Sequence, residues 1–538
     1  MSILAEKLRK ISSGLNFPLK ENPASSPETE INEPLVRFEP EEGTEEIERY
    51  WVDEPYAFVS ILKRNRDFFY HVVEPELNSF ERSLLDEVIL MIGDVLTLKK
   101  VTDLDEITRE DKYELLRDKI ATLLSDHFRI TEGSFEKIFY YIKRDFVDFG
   151  KISPIMYDPH IEDSWCNGVD IPVYVFHASY RNLITNITFD NDEDIAAFVM
   201  RVAHQSSRHI SKSSPILDTI MKDGSRINIT YGYEISPKGS SFSIRKQKKT
   251  PLTPLDLIAW GTYSSRMIAY FWLCMENGKN ILFCGGTASG KTSAMNAICM
   301  FIPLNIRIVT LEDTREIQLP HENWIPTVTR EGITHEDIGR VDLEDLLRAS
   351  LRQRPDYLLV GEVRGRESQI LFQAMNAGHA TCSTFHAGSP TEVINRFTNP
   401  PISVPVAMFS ALDIICMQSN TYENGNEKRR VSEIAEITGI SDKVNTRQIY
   451  VDNHGCSDFD YNASLVLEAI RKKRGWTAKE LDSELARRKE YLEMMIAKSI
   501  RDYHRVVNWF DFFNKDPEKA CCELKTYLPE PQIPMNYI

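Results

Sequence analysis

Residues 285 to 292 combine glycines, a lysine and a threonine at the spacing of a phosphate-binding loop. The run Gly285-Gly286-Thr287-Ala288-Ser289-Gly290-Lys291-Thr292 follows the pattern G-x-x-x-x-G-K-T. In such a loop the backbone wraps the phosphates, the lysine reaches the β- and γ-phosphates, and the threonine hydroxyl binds Mg²⁺. A chance glycine-rich turn is the alternative, so the surrounding sequence decides between the two.

The flanking sequence supplies the strand and the helix that such a loop needs. The apolar run 280–284 favours a strand, and the run 293–301, which begins with Ser293, favours a helix. Backbone N–H groups at a helix start point towards a bound anion. We therefore predict that the eight loop residues and Ser293 bind a nucleoside triphosphate.

Acidic residues follow two further apolar strands. Glu312 follows the run 306–311, and Glu362 follows the run 357–360 after Gly361. In doubly wound sheets, ligands bind where the parallel strands end. Gly361 stands where an aspartate usually assists Mg²⁺, which leaves Glu362 to bind the metal or its water, while Glu312 could activate the attacking water. The spacing does not decide which acid is the base, and helix capping is the alternative role for both.

Two histidines bracket one predicted strand. His379 precedes the run 380–384, and His386 follows it. We predict that each senses phosphate, because imidazole can donate a hydrogen bond or carry a proton. A metal site is the weaker alternative, since no third ligand is nearby in the sequence.

Arginines are the remaining requirement for phosphoryl transfer, because a guanidinium stabilises the developing charge. Arg226 lies in a turn and Arg245 in a short strand, both upstream of the loop. We predict that these two contact the nucleotide. Arg348 and Arg352, four residues apart on a predicted helix, are a weaker alternative.

The elements that position these residues divide the chain into six predicted segments. They are a mobile acidic tail (1–50), a small α/β domain (51–150), an α+β domain (151–247), a basic linker (248–252), an α/β nucleotide-binding domain (253–460) and a helical C-terminal extension (461–538). For the tail, docking to a partner is the alternative to a solvated linker. Apolar strands alternating with helices in 253–460 predict a mostly parallel sheet covered on both faces.

Composition narrows the class of protein. The 538 residues carry a net charge of −16, which argues against bulk nucleic-acid binding. The nine cysteines are scattered without a C-x-x-C pair, which favours a reducing cytoplasm over a zinc site or a disulfide framework. We find neither a signal peptide nor an apolar run of roughly 18 residues, so we expect any membrane role to depend on a partner.

Four motifs, taken together and in this order, resemble the secretion ATPases of type II and type IV systems, including type IV pilus assembly motors. They are GGTASGKT, LEDTREIQLP, LRQRPDYLLVGEVRGRE and AGHATCSTFHAGSP. The run 319–324 resembles the archaeal branch, which drives archaellum and archaeal pilus assembly. The resemblance is strong over 150–440 and weak over 50–150. The four-cysteine zinc insert of the bacterial type II members is absent.

The resemblance implies a RecA-like P-loop ATPase domain preceded by α+β (PAS-like) and mostly helical domains. It implies a cytoplasmic homohexamer, peripheral at the inner face of the membrane, that works with ATP and Mg²⁺ on a polytopic membrane platform protein. Carried over by motif, Glu312 is the catalytic carboxylate, Glu362 supports Mg²⁺ and water, and His386 senses the γ-phosphate. Arg226 and Arg245 match positions that reach across to the nucleotide, and a missing aspartate before Glu362 is normal for this family.

Three alternative functions remain open at this stage. A DNA-translocating ATPase of the same superfamily predicts a basic pore and stimulation by DNA, which the charge of −16 argues against. A nucleotide-regulated scaffold without hydrolysis would not need the acids, histidines and arginines. A small-molecule kinase would leave the upstream domains unexplained.

Overall fold

A computed structural model describes residues 35–98, 109–128, 130–248, 250–330, 339–423, 426–440, 443–452 and 459–527. These residues form two compact units, and the division falls between Gln247 and Lys248. Within the described ranges, every helix is too short or too polar to serve as a membrane span.

Nine strands form one sheet in the described part of the first unit. They are β1 (Glu45–Asp53), β2 (Ala57–Arg64), β3 (Asp67–Val73), β4 (Ile161–Cys166), β5 (Tyr174–His177), β6 (Arg181–Thr185), β7 (Ile216–Ile220), β8 (Arg226–Thr230) and β9 (Ser241–Arg245). The sheet order is β1-β2-β3-β6-β5-β4-β9-β8-β7. Strands β8 and β9 alternate buried and exposed residues, which is typical of a sheet with one face on a core.

The helices of the first unit form two separate cores. They are α1 (Ser79–Leu98), α2 (Arg109–His127), α3 (Glu132–Ile142), α4 (Ser153–Tyr157) and α5 (Asp192–Gln205). Helix α5 buries Ile195, Val199 and Val202 in the core that includes the inner face of the sheet. Helices α1 to α3 pack on one another through a cluster that includes Val88. They form the mostly helical part that the family resemblance implies for the N-terminal region.

Two features of the first unit differ from the predicted segments. Strand β1 begins at Glu45, inside the range 1–50 that we predicted as tail, whereas residues 1–34 of that range lie outside the described residues. Its charges are accommodated because Glu46 accepts hydrogen bonds from Arg49 (2.7 Å) and Ser60 (2.6 Å). Strand β3 also pairs in parallel with β6, so one sheet crosses the boundary predicted at residue 150.

Eight strands form the sheet of the second unit. They are β10 (Ile281–Gly285), β11 (Ile308–Glu312), β12 (Trp324–Val328), β13 (Tyr357–Val360), β14 (Ala380–Phe385), β15 (Ile414–Glu423), β16 (Asn426–Ile440) and β17 (Val444–Val451). Their order is β12-β11-β13-β14-β10-β15-β16-β17. The first six run parallel, and β16 and β17 are antiparallel to their neighbours. The carboxyl ends of the parallel strands therefore share one edge.

Helices cover both faces of this sheet. They are α6 (Pro254–Ala259), α7 (Ser265–Glu276), α8 (Lys291–Cys299), α9 (Leu343–Leu351), α10 (Glu367–Asn376), α11 (Pro390–Thr398), α12 (Leu465–Arg474), α13 (Ala478–Ala497), α14 (Tyr503–Lys515) and α15 (Pro517–Thr526). In β10, Ile281 and Phe283 face one core and Leu282 and Cys284 face the other. The predicted fold class is confirmed: an α/β unit, preceded by α+β and helical parts, carries a helical C-terminal extension.

A buried arginine joins the C-terminal extension to the α/β unit. Arg488 of α13 contacts Glu276 of α7 (2.7 Å) and Glu484 (2.6 Å) while 5% exposed. Its guanidinium lies 5.6 Å from the Trp272 ring and 5.4 Å from the Phe513 ring. Its Nη1 and Nη2 atoms are thus paired with carboxylates, and such pairing is what a buried charge needs in order not to destabilise the fold. The extension is thus part of the core of the second unit.

Candidate active site

The backbone of the phosphate-binding loop requires glycine at two positions. Gly285 has φ +156° and Gly290 has φ +87°, both in the region that disfavours side chains. A Cβ on Gly285 would also lie 2.2 Å from the carbonyl oxygen of Gln418 and 2.6 Å from the Ser289 hydroxyl. The loop can therefore follow this path only with glycine at its first position.

The loop passes from strand β10 into helix α8. Gly286, Thr287 and Ala288 are exposed at its tip, and the buried Ser289 donates a hydrogen bond to the Gly286 carbonyl oxygen (2.9 Å). Thr292 is half-buried in the first turn of α8, and Ser293 is exposed beside it. All the residues predicted to bind nucleotide thus lie on one continuous turn.

Helix α8 begins at Lys291, whose side chain folds back over the loop. Its Nζ donates to the carbonyl oxygens of Gly285 (3.1 Å) and Gly286 (2.6 Å). The preceding residue, Gly290, has no side chain to cap the helix. An uncapped helix start and an ammonium group together make a site for an anion.

Glu312 is a buried carboxyl group at the end of β11. It is 2% exposed, and its Oε1 accepts hydrogen bonds from the backbone N–H of Glu316 (2.8 Å) and Ile317 (2.8 Å). Its Oε2 has no hydrogen-bond partner among the described residues. Burial raises the pKa of Glu312 to about 7, although the two N–H bonds oppose the rise. A carboxyl group with a pKa close to neutrality can exchange a proton at physiological pH.

Gly361 lies against Glu312 on the neighbouring strand. Its N–H donates to the Leu311 carbonyl oxygen (2.9 Å), and a Cβ at this position would lie 3.1 Å from Cγ of Glu312. An aspartate here would crowd a buried carboxyl group and repel its charged form. The neighbouring carboxyl group of Glu312 therefore explains why this position holds glycine rather than the aspartate of the motif.

Glu362 is the more accessible of the two acids. Its side chain is 27% exposed, and Oε2 pairs with the guanidinium of Arg364 (2.6 Å). Glu362 follows β13, two strands from β10, whereas Glu312 ends β11, three strands away. With strands about 4.8 Å apart, these offsets are roughly 10 and 14 Å along the sheet edge. Both acids lie on the edge that carries the loop.

The two histidines lie at opposite ends of β14. Phe385 pairs with Cys284, so His386 follows directly beside the first residue of the loop. The His386 side chain is exposed, and its carbonyl oxygen accepts a hydrogen bond from Arg396. His379 precedes β14, and its Nδ1 is 2.8 Å from the Pro355 carbonyl oxygen.

The role predicted for His379 is therefore corrected. Seven residues at about 3.3 Å each place it roughly 23 Å from His386, at the opposite edge of the sheet. A strand carries its first and last residues to different edges, so two histidines that bracket one strand cannot both reach the same phosphate. For the same reason they cannot share a metal ion.

Arg226 and Arg245 form a pair within the first unit. They lie directly opposite each other on β8 and β9, and both side chains are exposed on the outer face of the sheet. Arg226 makes a bidentate ion pair with Asp218 (3.0 and 2.7 Å). Arg245 lies opposite Asp163 of β4, whose pKa is raised by burial and lowered by this arginine. The sequence did not indicate the two aspartates or the pairing of the two arginines.

One amide side chain near the site was missed by the sequence analysis. Asn296, in the middle of α8, is 5% exposed, and its Oδ1 accepts a hydrogen bond from the Gln318 N–H (3.0 Å). Asn296 stands among apolar residues of the helix, and a polar residue at such a position usually has a specific partner. That pattern was visible in the sequence, whereas the partner was not.

Comparison with known proteins assigns the chain to a family. A family model described as type II/IV secretion system protein matches residues 172–469, and one described as PilB3-like, N-terminal matches residues 8–76. Because the first covers more than half of the chain, the protein belongs to the type II/IV secretion system protein family. The resemblance drawn from the four motifs is confirmed.

Individual relatives extend this comparison. The uncharacterized protein MJ0900 of Methanocaldococcus jannaschii is 37% identical over 462 residues, which cover 81% of this chain and 83% of that protein. Protein VirB11 of Rhizobium radiobacter is 27% identical over 282 residues, which cover 47% and 80%. The solved VirB11 ATPase of the Brucella suis type IV secretion system, in complex with sulphate, is similar at 22% identity, with 55% of this chain and 93% of that chain covered and a TM-score of 0.28.

Proposed function

We propose that this protein is an ATPase that hydrolyses ATP at the edge formed by the ends of β10, β11, β13 and β14. The observation that carries the proposal is the convergence of the loop, two acids and His386 on that edge. The loop supplies a cation and a helix start for the phosphates, and the acids supply proton acceptors. Hydrolysis needs both sets of groups, whereas binding alone needs only the first.

The residues present fit ATP and Mg²⁺. The path of Gly285 leaves no room for a side chain, the start of α8 has no side-chain cap, and Oε2 of Glu312 is buried without a hydrogen-bond partner among the described residues. Lys291 and the loop N–H groups would hold the phosphates. Thr292 and Glu362 would hold Mg²⁺, which neutralises charge on the phosphates when it is bound.

Glu312 and Glu362 have different roles in activating water. Glu312, with a pKa of about 7, accepts the proton of the attacking water. Glu362, closer to the loop and partly exposed, orients the metal or the water. His386, beside the loop, donates a hydrogen bond to the γ-phosphate. The role predicted earlier for His379 is not part of this proposal.

We further propose that the active form is a homohexamer in the cytoplasm, peripheral at the inner face of the membrane. Hydrolysis would power assembly or secretion of pilin-like subunits, of a pilus or an archaellum, through a polytopic membrane platform protein. Family membership and the PilB3-like N-terminal match support this level of the proposal. Arg226 and Arg245 would contact the nucleotide and stabilise charge in the transition state.

A phosphate-release assay on the purified full chain tests the proposal. Lys291→Ala removes the loop cation, and we expect turnover to fall roughly a hundredfold or more, as when other charge-stabilising donors are removed. Lys515→Ala, which removes an exposed lysine from α14 of the same unit, is the matched control and should match wild type. Turnover that survives Lys291→Ala would place hydrolysis outside this loop.

Two further measurements address assembly and the alternative function. Mass photometry with and without nucleotide should detect a six-subunit species. Turnover should rise with cytoplasmic loops of candidate platform proteins and stay unchanged with DNA. Stimulation by DNA alone would favour the DNA-translocating alternative, which the net charge of −16 argues against.

A further inference from the structure

The segment that follows β11 is fixed to the nucleotide site by three hydrogen bonds. The N–H groups of Glu316 and Ile317 donate to Oε1 of Glu312, each at 2.8 Å. The next N–H, that of Gln318, donates to Oδ1 of Asn296 on helix α8 (3.0 Å). Residues 316–318 therefore connect the buried acid to the helix that carries Lys291.

The side chain of Gln318 connects the same segment to the start of the linker. Its Nε2 donates to the carbonyl oxygen of Lys248 (3.0 Å). Lys248 is the first residue of the second unit and of the predicted linker 248–252, and it is exposed. Gln318 itself is half-buried, so its amide bridges the interior of the unit and the linker.

The far end of the linker is fixed independently. Thr253 is 1% exposed and begins helix α6 with a reciprocal capping box, in which its N–H donates to Asp256 (2.9 Å) and its Oγ1 accepts from the Asp256 N–H (3.3 Å). The linker thus has one anchor on a helix cap and another on Gln318. The second anchor shares its backbone segment with Glu312.

We propose that Gln318 is a positioning residue that couples the linker to the nucleotide site, by tying the Lys248 carbonyl to the segment whose N–H groups hold Glu312 and Asn296. The inference rests on the proposed binding of ATP. Movement at Glu312 or α8 on nucleotide binding is transmitted through residues 316–318 to Lys248, and displacement of the linker is transmitted back to Glu312.

The strength of one hydrogen bond sets the size of the coupling. A neutral hydrogen bond of this kind shifts an equilibrium by roughly two- to tenfold. Coupling is reciprocal, so the linker and the nucleotide change each other's equilibrium by the same factor. The expected effect is therefore a several-fold change in linker exposure when nucleotide binds.

Limited trypsin digestion of the full chain measures this exposure, because trypsin cuts after the exposed Lys248. The rate of cleavage there, identified by fragment mass, is compared without nucleotide and with saturating magnesium and a non-hydrolysable ATP analogue. In the wild-type protein we expect nucleotide to change the rate by roughly two- to tenfold. Gln318→Ala, and Gln318→Glu, which keeps the shape but removes the donor, should show one rate in both conditions.

Gln369→Ala is the matched control. Gln369 is also half-buried, and its Nε2 donates to backbone carbonyl oxygens, those of Ile402 (2.6 Å) and Ser403 (3.3 Å), away from the linker. This variant should keep the wild-type response. Loss of a hydrogen bond in general would alter both variants, whereas the proposed coupling alters only Gln318.

Titration with a fluorescent ATP analogue separates the two levels of inference. A wild-type protein that binds no nucleotide would refute the proposed function. A wild-type protein that binds nucleotide but shows no change in cleavage at Lys248 would refute the coupling alone. A nucleotide response that persists in both Gln318 variants would also refute it.

Discussion

Replacing Glu312 by glutamine tests whether this carboxyl group is held in a buried site that disfavours its charge. Glutamine has nearly the same shape and can still accept the N–H groups of Glu316 and Ile317. It cannot ionise. The substitution therefore removes the pH-dependent part of the stability that Glu312 contributes and leaves the packing in place.

The magnitude follows from the pKa of about 7, against an ordinary value of 4.5. The folded state binds the proton more tightly than the unfolded state does, so this contribution to stability is present in full below pH 4.5. It is lost as the pH rises to about 7 and above, and the interval between the two values corresponds to about 3 kcal/mol. We therefore expect the free energy of unfolding of Glu312→Gln, relative to that of the wild-type protein, to rise by about 3 kcal/mol between pH 4.5 and pH 8.

The glutamine also places an amide N–H where Oε2 of Glu312 has no hydrogen-bond partner among the described residues. An unpaired buried donor costs roughly 1 to 3 kcal/mol, but it does so at every pH. This cost shifts the stability difference between the two proteins equally at every pH, whereas the change of that difference with pH is set by Glu312. The slope, rather than the absolute stability, is the quantity to measure.

Scanning calorimetry from pH 5 to pH 8.5 provides the measurement. For a unit of this size, about 3 kcal/mol corresponds to a change of roughly 6 °C in the difference between the two Tm values. Glu322→Gln removes an exposed carboxylate from the same unit and should follow the wild-type curve. Parallel curves for wild type and Glu312→Gln would refute the buried, proton-binding state of Glu312.

Three further predictions concern catalysis. The kcat of the wild-type protein should rise with pH through a midpoint near 7. This rise should remain in Glu362→Gln but disappear from the residual activity of Glu312→Gln, so pH profiles of phosphate release decide which acid is the base. Gly361→Asp should move the midpoint to higher pH and lower the Tm, because the new side chain would begin 3.1 Å from Glu312 Cγ; an unchanged midpoint would contradict the geometry. Arg226→Ala should slow hydrolysis, and mixing it with Lys291→Ala protein should restore part of the turnover if the arginine acts on a neighbouring subunit, whereas failure to restore it would indicate action within one chain.

The phosphate-binding loop could be predicted from the sequence because its conformation depends on local chemistry. Glycine at 285 and 290 is required by the backbone angles themselves, and the following lysine opens the helix. The strand predicted at 280–284 is observed as Ile281–Gly285, and the helix predicted from residue 293 begins at Lys291. Such boundaries are set by neighbouring residues, which a sequence displays directly.

Several partners of the site residues could not be predicted in this way, because they come from distant parts of the chain. Gln318 contacts Lys248, 70 residues earlier, and Arg245 lies opposite Asp163 in a sheet order that no local pattern specifies. His379 is a different case. Its separation from His386 follows from the length of the strand between them, so the sequence already contained the reason to exclude it from the site.

The glycine at position 361, where the motif usually has an aspartate, is explained by the neighbouring strand. Taken alone, a glycine before Glu362 looks like the loss of a metal-binding aspartate. On the sheet, β11 lies beside β13, and the Gly361 N–H binds the Leu311 carbonyl oxygen next to Glu312. Two carboxylates at Gly361 and Glu312 would compete for the same space and repel each other, so the glycine allows the second acid to be buried there. Positions 312 and 361 therefore depend on each other. A variant that introduces aspartate at 361 is expected to need a smaller, neutral residue at 312.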